Sequence, residues 1–257
     1  MTMWKIAKYI ILDIIKSKVL IAYTGLLALI TLSIFMMDAD VTKGLVSIST
    51  VVMIIVPLVS IVFATTYIFN ASEFTELLVS QPISRKDILL GKYLGIGSSI
   101  LSAFILGVCL PVSLFVISTT SLIMMLVGCL LTLVFVSLAF LASTMTTDKA
   151  KGIGLCLMIW FYCAIIFDGL VLLFLFSFSD YPLEKAMIVL TSLNPVDLGR
   201  VMILLQLDIS ALMGYTGALY QKFFGSGYGM LFAVAFQMVW ITVPLMFALK
   251  IFKKKDL

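Results

Sequence analysis

Apolar residues dominate six long runs of this chain, and shorter, more polar stretches separate the runs. The runs cover residues 19–37, 45–69, 93–117, 122–143, 153–178 and 230–249. A helix needs about 17–25 mostly apolar residues to cross the hydrocarbon core of a bilayer. Because lipid offers no hydrogen-bond partner to a backbone amide, each run is predicted to be helical. The pattern therefore predicts an all-α membrane protein with six transmembrane helices in a single domain, residues 1–257.

Residues 1–18, before the first run, have an amphipathic helical pattern. Lysines lie on one side of the helix, and apolar residues lie on the other: Trp4, Ala7, Ile10, Ile11, Ile14 and Ile15. An apolar stripe beside a cationic face is typical of a helix that lies on the anionic surface of a membrane. We predict an N-terminal interfacial helix. A plain helical lead-in to the first span is a compatible alternative.

Lysine and arginine are distributed unevenly among the polar stretches, and this predicts the orientation. If the N-terminus is cytoplasmic, 13 of the 17 Lys and Arg residues lie inside, and four lie outside: Lys43, Lys185, Arg200 and Lys222. Cytoplasmic loops of membrane proteins carry such an excess. Both termini are therefore predicted to be cytoplasmic.

The composition excludes several functions. Hydrophobic residues make up 63% and charged residues 12% of the chain, against about half and about a quarter in soluble domains. Histidine is absent, which excludes His-ligated zinc and the Ser-His-Asp triad. The sequence has no G-x-x-x-x-G-K-[ST] phosphate loop and no G-x-S-x-G elbow. We expect no enzymatic activity, no cofactor or metal held by this chain, and no nucleic-acid partner.

The stretch between the second and third runs, residues 70–92, is here named the Pro82 loop. Two pairs in it have the spacing of a capping box: Asn70 with Glu73, and Ser84 with Asp87. Pro82 lies between them and breaks a helix. The loop therefore reads as a helix, a turn and a second helix. Leu77 and Leu78 lie beyond the end of the second run and need either a protein partner or the membrane surface.

The stretch after the fifth run, residues 179–229, is named the long loop. It is too long to be a simple connection between two helices. Asn194, Pro195 and Asp197 supply an N-cap, a proline at the first helical position and an acid in the first turn. The loop is predicted to form a helical outer cap against the membrane or a partner. Arg200, one turn later, would contact either a partner's carboxylate or Asp197.

One ionisable residue, Asp168, lies inside an apolar run. A carboxylate in lipid is costly and faces a bundle interior or water. It would either bind a cargo or proton, or make a structural hydrogen bond to a neighbouring helix, and we favour the structural role.

The sequence of the Pro82 loop resembles that of one protein family. Its residues Glu76-Leu77-Leu78, then Ser80-Gln81-Pro82-Ile83-Ser84-Arg85 and Gly91-Lys92, resemble the coupling segment in membrane permeases of type-2 ABC exporters. The resemblance extends over the whole chain. One departure is that family members often carry a glycine shortly before the leucine pair, where this chain has Asn70-Ala71-Ser72-Glu73.

The long loop resembles the branch of this family that serves nitrous oxide reductase maturation. The residues concerned are Leu193 to Asp197 with Arg200, Gly214 to Ala218, and Phe223-Phe224-Gly225. The resemblance implies that this chain transmits ATPase motion to the outer face for the copper site of that reductase. An exporter of a lipid, antibiotic or other apolar cargo is the alternative, as is a scaffold that moves no cargo.

The resemblance also implies partners and contact residues. Two copies of the chain in the inner membrane would pair with two ATPase subunits that bind ATP and Mg. A periplasmic, solenoid-like protein of the NosD type would dock outside. The implied ATPase contacts are Glu73, Glu76, Leu77, Leu78, Gln81, Pro82, Ser84 and Arg85. The implied outer docking residues are Asn194, Pro195, Asp197 and Arg200.

Overall fold

The computed structural model describes residues 3–37, 40–178, 184–206 and 227–254, and none of these residues forms a strand. The described helices are α1 (Met3–Ile15), α2 (Lys18–Met37), α3 (Val41–Asn70), α4 (Ser72–Val79), α5 (Arg85–Phe104), α6 (Leu110–Phe115), α7 (Thr119–Met145), α8 (Lys149–Phe161), α9 (Phe167–Ser177), α10 (Glu184–Ser192), α11 (Pro195–Leu204) and α12 (Gly227–Lys254). The all-α prediction is confirmed.

Six helical stretches in the described residues are long and apolar enough to cross a membrane. They are α2, α3, α5 with α6, α7, α8 with α9, and α12. Each overlaps one of the six predicted runs over nearly its whole length, so the predicted spans are confirmed; the third ends at Phe115 and the fifth at Ser177, slightly before the predicted ends. Two spans contain a π-helical turn, Ile105–Cys109 between α5 and α6 and Tyr162–Ile166 between α8 and α9.

The fourth span, α7, forms the centre of the bundle. It packs against α3, α5, α8, α11 and α12, and Leu131, Val134 and Phe135 are fully buried. In contrast, only 17% of the most apolar stretch of α8–α9 is buried, against 67% for α7. The fifth span therefore leaves most of its apolar surface for lipid or another subunit.

Helix α1 packs along α5, at a contact that requires two glycines. A Cβ atom added at Gly95 would lie 2.8 Å from Ile10 Cβ, and one at Gly91 would lie 2.9 Å from the backbone oxygen of Met3. The buried face of α1 is Ile6, Ala7, Ile10 and Ile14. The buried face is thus narrower than the predicted apolar stripe, because Trp4 and Ile15 are exposed.

The N-terminal helix, the Pro82 loop and the end of α12 meet at one end of the bundle. Arg85 Nη1 donates to the backbone oxygens of Phe252 at 3.2 Å and Lys253 at 3.0 Å. These carbonyls lie in the last turn of α12, where a helix has no internal donors left. Arg85 therefore joins the Pro82 loop to the last span.

The two capping predictions in the Pro82 loop have different outcomes. Ser84 Oγ accepts the backbone N–H of Asp87 at 3.1 Å, which confirms this N-cap. The cap at Asn70 is wrong, because α3 continues through Asn70 and α4 begins after Ala71 without a side-chain cap. The Asn70 side chain instead accepts a hydrogen bond from Lys149 at the start of α8.

Candidate functional site

The Pro82 loop presents two different faces of the short helix α4. Leu77 is 65% exposed, whereas Leu78 is 2% exposed and packs in the core. Thr75, one turn before Leu78, is also buried. Adjacent residues on a helix point about 100° apart, and here this rotation places one leucine outside and the other inside. Only Leu77 is available to a partner.

The exposed side of the loop is a mixed acidic and apolar ridge. Glu73, Glu76 and Leu77 share it on α4, because residues three and four apart face the same way. The turn adds further exposed side chains, which are Gln81, Pro82 and Ser84. Arg85 is half-buried and is held against α12. Of the eight predicted contact residues, six therefore lie exposed on one loop, Arg85 is its anchor, and Leu78 is internal.

The described part of the long loop forms a hairpin that enters the bundle. Helices α10 and α11 meet at an angle of 115°. At the tip, Asn194 Nδ2 donates to the backbone oxygen of Cys163 at 2.7 Å. Cys163 lies at the middle of the fifth span. Residues 179–183 at the start of the loop and residues 207–226 in its later part lie outside the described residues.

The sixth span holds the same tip from another side. Gln237 Nε2 donates to the backbone oxygen of Pro195 at 2.7 Å, and Trp240 Nε1 donates to that of Ser192 at 3.1 Å. Thr120 at the start of α7 donates to the oxygen of Gln206, beyond the other end of α11. Helix α11 therefore runs from the middle of the bundle back to its edge.

Asn194 performs two tasks at the tip. Its Oδ1 accepts the backbone N–H of Val196 at 3.0 Å, and Pro195 takes the first helical position. The predicted N-cap and proline are confirmed. Its Nδ2 contacts the π-turn of the fifth span, where the wider turn interrupts the regular α-helical ladder of hydrogen bonds. The Asn-Pro pair thus starts α11 and docks it.

A cluster of three charges joins α11 to the fifth span. Arg200 Nη1 lies 2.6 Å from Asp168 Oδ2 and 3.1 Å from Asp197 Oδ1. The side chains of Arg200 and Asp168 are about a third exposed, and Asp197 is 12% exposed. Asp168 therefore pairs with the re-entrant hairpin of its own chain, and Arg200 binds both acids.

This geometry bears on the predicted outer docking residues. Asn194, Pro195 and Asp197 are buried by their own chain. As positioned here, they are therefore not exposed to an outer partner, in contrast to the docking surface that the sequence predicts. Arg200 directs its guanidinium at two carboxylates of its own chain, Asp168 and Asp197. The four residues hold the hairpin in place.

Two residues that hold the hairpin, Gln237 and Trp240, are not among those predicted from the sequence. Gln237 is a buried amide inside an apolar span, and such a polar residue was a usable signal. Trp240 carries no such signal, because tryptophan also occurs in membrane proteins as an anchor at the interface. In the described ranges, no group of three or more Cys, Asp or Glu side chains is placed to hold a metal ion.

The six spans and the hairpin that packs among them define a multi-pass helical membrane protein. The chain belongs to the ABC-2 transporter family, since residues 4–257 match the family described as "ABC-2 family transporter protein". The chain is thus the permease component of an ABC transporter, and this family membership implies an ABC ATPase partner.

Two curated relatives are similar over most of their length, and each is named "Probable ABC transporter permease protein NosY". The protein from Stutzerimonas stutzeri is 26% identical over an alignment of 276 positions, which covers 98% of each chain. The protein from Pseudomonas aeruginosa is 26% identical over 236 residues, which cover 82% of this chain and 84% of that one. The resemblance drawn from the sequence is confirmed at this level.

Proposed function

We propose that this permease receives motion from an ATPase subunit at the Pro82 loop and passes it to the re-entrant hairpin. The two-faced helix α4 is the observation that carries the proposal. Its exposed face, with Glu73, Glu76 and Leu77, offers an apolar anchor between charges. Its inner face, with Thr75 and Leu78, is packed into the bundle. A partner that pushes α4 must therefore move the core behind it.

A continuous set of contacts leads from this loop to the hairpin. Arg85 holds the last turn of α12. Gln237 and Trp240, near the middle of α12, hold the hairpin tip. Because both sets of contacts lie on one continuous helix, displacement of one end of α12 is passed to its middle, across the proline at position 244. The coupling path runs from the Pro82 loop through α12 to α11.

ATP and Mg are bound by the partner in this proposal. This chain has no phosphate loop, so hydrolysis takes place on a separate subunit. Two copies of each subunit would form the complex in the inner membrane. The poorly buried fifth span, α8–α9, offers an apolar face for the second copy.

The finer function that we propose is maturation of the copper site of nitrous oxide reductase. Its support is the similarity to two NosY permeases along most of the chain. A periplasmic NosD-type protein would then bind the outer end. Because Asn194, Pro195 and Asp197 are buried, contact with that protein would fall on other parts of the long loop or would require the hairpin to move outward.

Export of an apolar cargo is a second candidate, and one observation favours it. A groove of about 890 Å³ lies between α1 and α3, with Leu58, Val62 and Phe63 on its wall. Asp13 and Lys16 are its charged lining residues. Such a groove has the mixed character that suits a lipid-like molecule.

The test of the coupling proposal is co-purification with the ATPase. Leu77→Asp places a charge on the exposed face of α4 and should release the ATPase, while the permease stays inserted in the membrane. Leu12→Asp, at another exposed leucine, is the matched control and should retain it. An undiminished complex with Leu77→Asp contradicts the proposal. A second experiment measures the copper content of nitrous oxide reductase in a strain that lacks the permease. A loss of copper supports maturation, and an unchanged copper content supports export of another cargo.

A further inference from the structure

Lys92 is a buried cation without a buried counter-charge. It lies on α5, one residue after Gly91, and is 4% exposed. Its Nζ donates to Thr75 Oγ1 at 2.6 Å. In the part of the chain that the structure describes, no carboxylate lies within 4.0 Å of this ammonium. A buried charge is costly unless it is paired and hydrogen-bonded.

The ammonium also has unused donors. Lys92 carries three N–H bonds, and among the described contacts one of them reaches an acceptor. The Thr75 hydroxyl donates its own hydrogen to the backbone oxygen of Ala71, so it serves Lys92 only as an acceptor. Two N–H groups therefore remain for a ligand.

These donors face a cavity of about 390 Å³ between α4, α5 and α7. Lys92 lies at its base, and Phe140 and Phe252 form apolar walls. Ser72 and Thr147 line it and are exposed, so the cavity opens at the end of the bundle that carries the Pro82 loop. A cavity of this size far exceeds the roughly 30 Å³ that one water occupies.

The charges around the cavity have a simple arrangement. Lys92 and Glu76 are the charged side chains among its described lining residues. Glu76 is exposed and therefore lies at the rim, whereas Lys92 is internal. Because hydroxyls rotate freely, Ser72 and Thr147 can turn their hydrogens toward a ligand that Lys92 holds. The interior of the cavity suits an anion with several acceptor oxygens.

We propose that this cavity binds a phosphate-type oxyanion, held by the Lys92 ammonium with the Ser72 and Thr147 hydroxyls. The oxyanion is either the phosphate of a lipid headgroup from the adjacent leaflet or a free phosphate. The cavity lies beside the proposed ATPase contact and shares Glu76 with it at the rim, whereas Lys92 and Thr75 lie on the inner side of α4. A bound oxyanion ties α4 to α5 and α7, and so stiffens the base of the Pro82 loop.

The experiment uses the full-length chain purified in detergent. Its probes are inorganic phosphate, scored by a shift in Tm at matched ionic strength, and phosphatidylglycerol against phosphatidylcholine, scored by retention in native mass spectrometry. Wild type should bind at least one phosphate probe. Lys92→Gln should bind it about tenfold more weakly or not at all, as expected for the loss of a charge-assisted hydrogen bond.

Two further variants keep the test decisive. Thr147→Glu leaves Lys92 in place, adds a negative charge at the exposed rim and should also abolish binding. Lys86→Gln removes an exposed charge from the same end of α5 and should bind like wild type. If Lys92→Gln does not fold, the binding measured with Thr147→Glu tests the proposal instead.

The outcomes separate the sources. Binding of phosphatidylglycerol alone identifies a lipid headgroup, and a response to inorganic phosphate alone identifies a soluble anion. Absence of both overturns the proposal. If Lys92→Gln or Thr147→Glu binds the phosphate probe as tightly as wild type, the proposal is also overturned. This result does not depend on whether the ATPase co-purifies.

Discussion

Asn194 donates a hydrogen bond from its side-chain amide to the backbone carbonyl of Cys163. The two residues are 31 positions apart in the chain. The bond fixes the tip of the α10–α11 hairpin at the π-turn of the fifth span. The described part of the long loop, residues 184–206, is therefore packed within the bundle.

Loss of this contact should destabilise the protein. Asn194→Ala removes both the N-cap of α11 and the donor to Cys163, and should lower the free energy of unfolding by about 1–3 kcal/mol. Asn194→Asp keeps the cap acceptor but not the donor, and should have an intermediate effect. Thermal unfolding in detergent measures both. Equal stability of Asn194→Ala and wild type would contradict the docking role.

The charge cluster should respond asymmetrically to substitution. Asp168→Asn should cost less than about 1 kcal/mol, because the pair is partly exposed and an amide still accepts a hydrogen bond. Arg200→Leu should cost about 1–3 kcal/mol, because it leaves the poorly exposed Asp197 without its cation. The double variant should be more stable than the sum of the two losses predicts. Strict additivity would show that Asp168 and Arg200 do not interact.

The two adjacent leucines of α4 should behave differently. Leu78→Ala empties a packed position and should reduce stability by about 2–4 kcal/mol. Leu77→Ala should change stability by less than about 0.5 kcal/mol, because the side chain is mostly exposed. Thermal unfolding of the permease without its ATPase compares the two. A larger loss at Leu77 would reverse the assignment of the two faces.

The α1–α5 contact should depend on Gly95. Gly95→Val forces groups against Ile10 and should destabilise the contact by about 1–3 kcal/mol. Protease cleavage within residues 3–15 should then become faster, as α1 separates from α5. Gly25→Val is the control, because a Cβ there meets nothing within 4 Å. Equal cleavage of the two variants would show that close packing does not hold α1.

The spans could be predicted from the sequence because each one is a long apolar run. Such a run must be helical in lipid, since only a helix satisfies its backbone hydrogen bonds internally. The sequence also predicted the start of α11, since the Asn-Pro cap acts locally. It could not predict the depth of α11, because a cap fixes where a helix begins and not what it packs against. The Asp168–Arg200 pair depends on that depth. Leu77 and Leu78 are chemically identical, so only packing could distinguish them.

The central position of α7 has a consequence for biogenesis. Its neighbours α3 and α5 precede it in the chain, but α12, another major neighbour, is made after all the other described helices. The 81 residues between Met145 and Gly227 take about 4–16 s to synthesise at about 5–20 residues per second. During this interval one side of the fourth span lacks its final neighbour. Nascent chains that stop before α12 should therefore be recognised and degraded by membrane quality control.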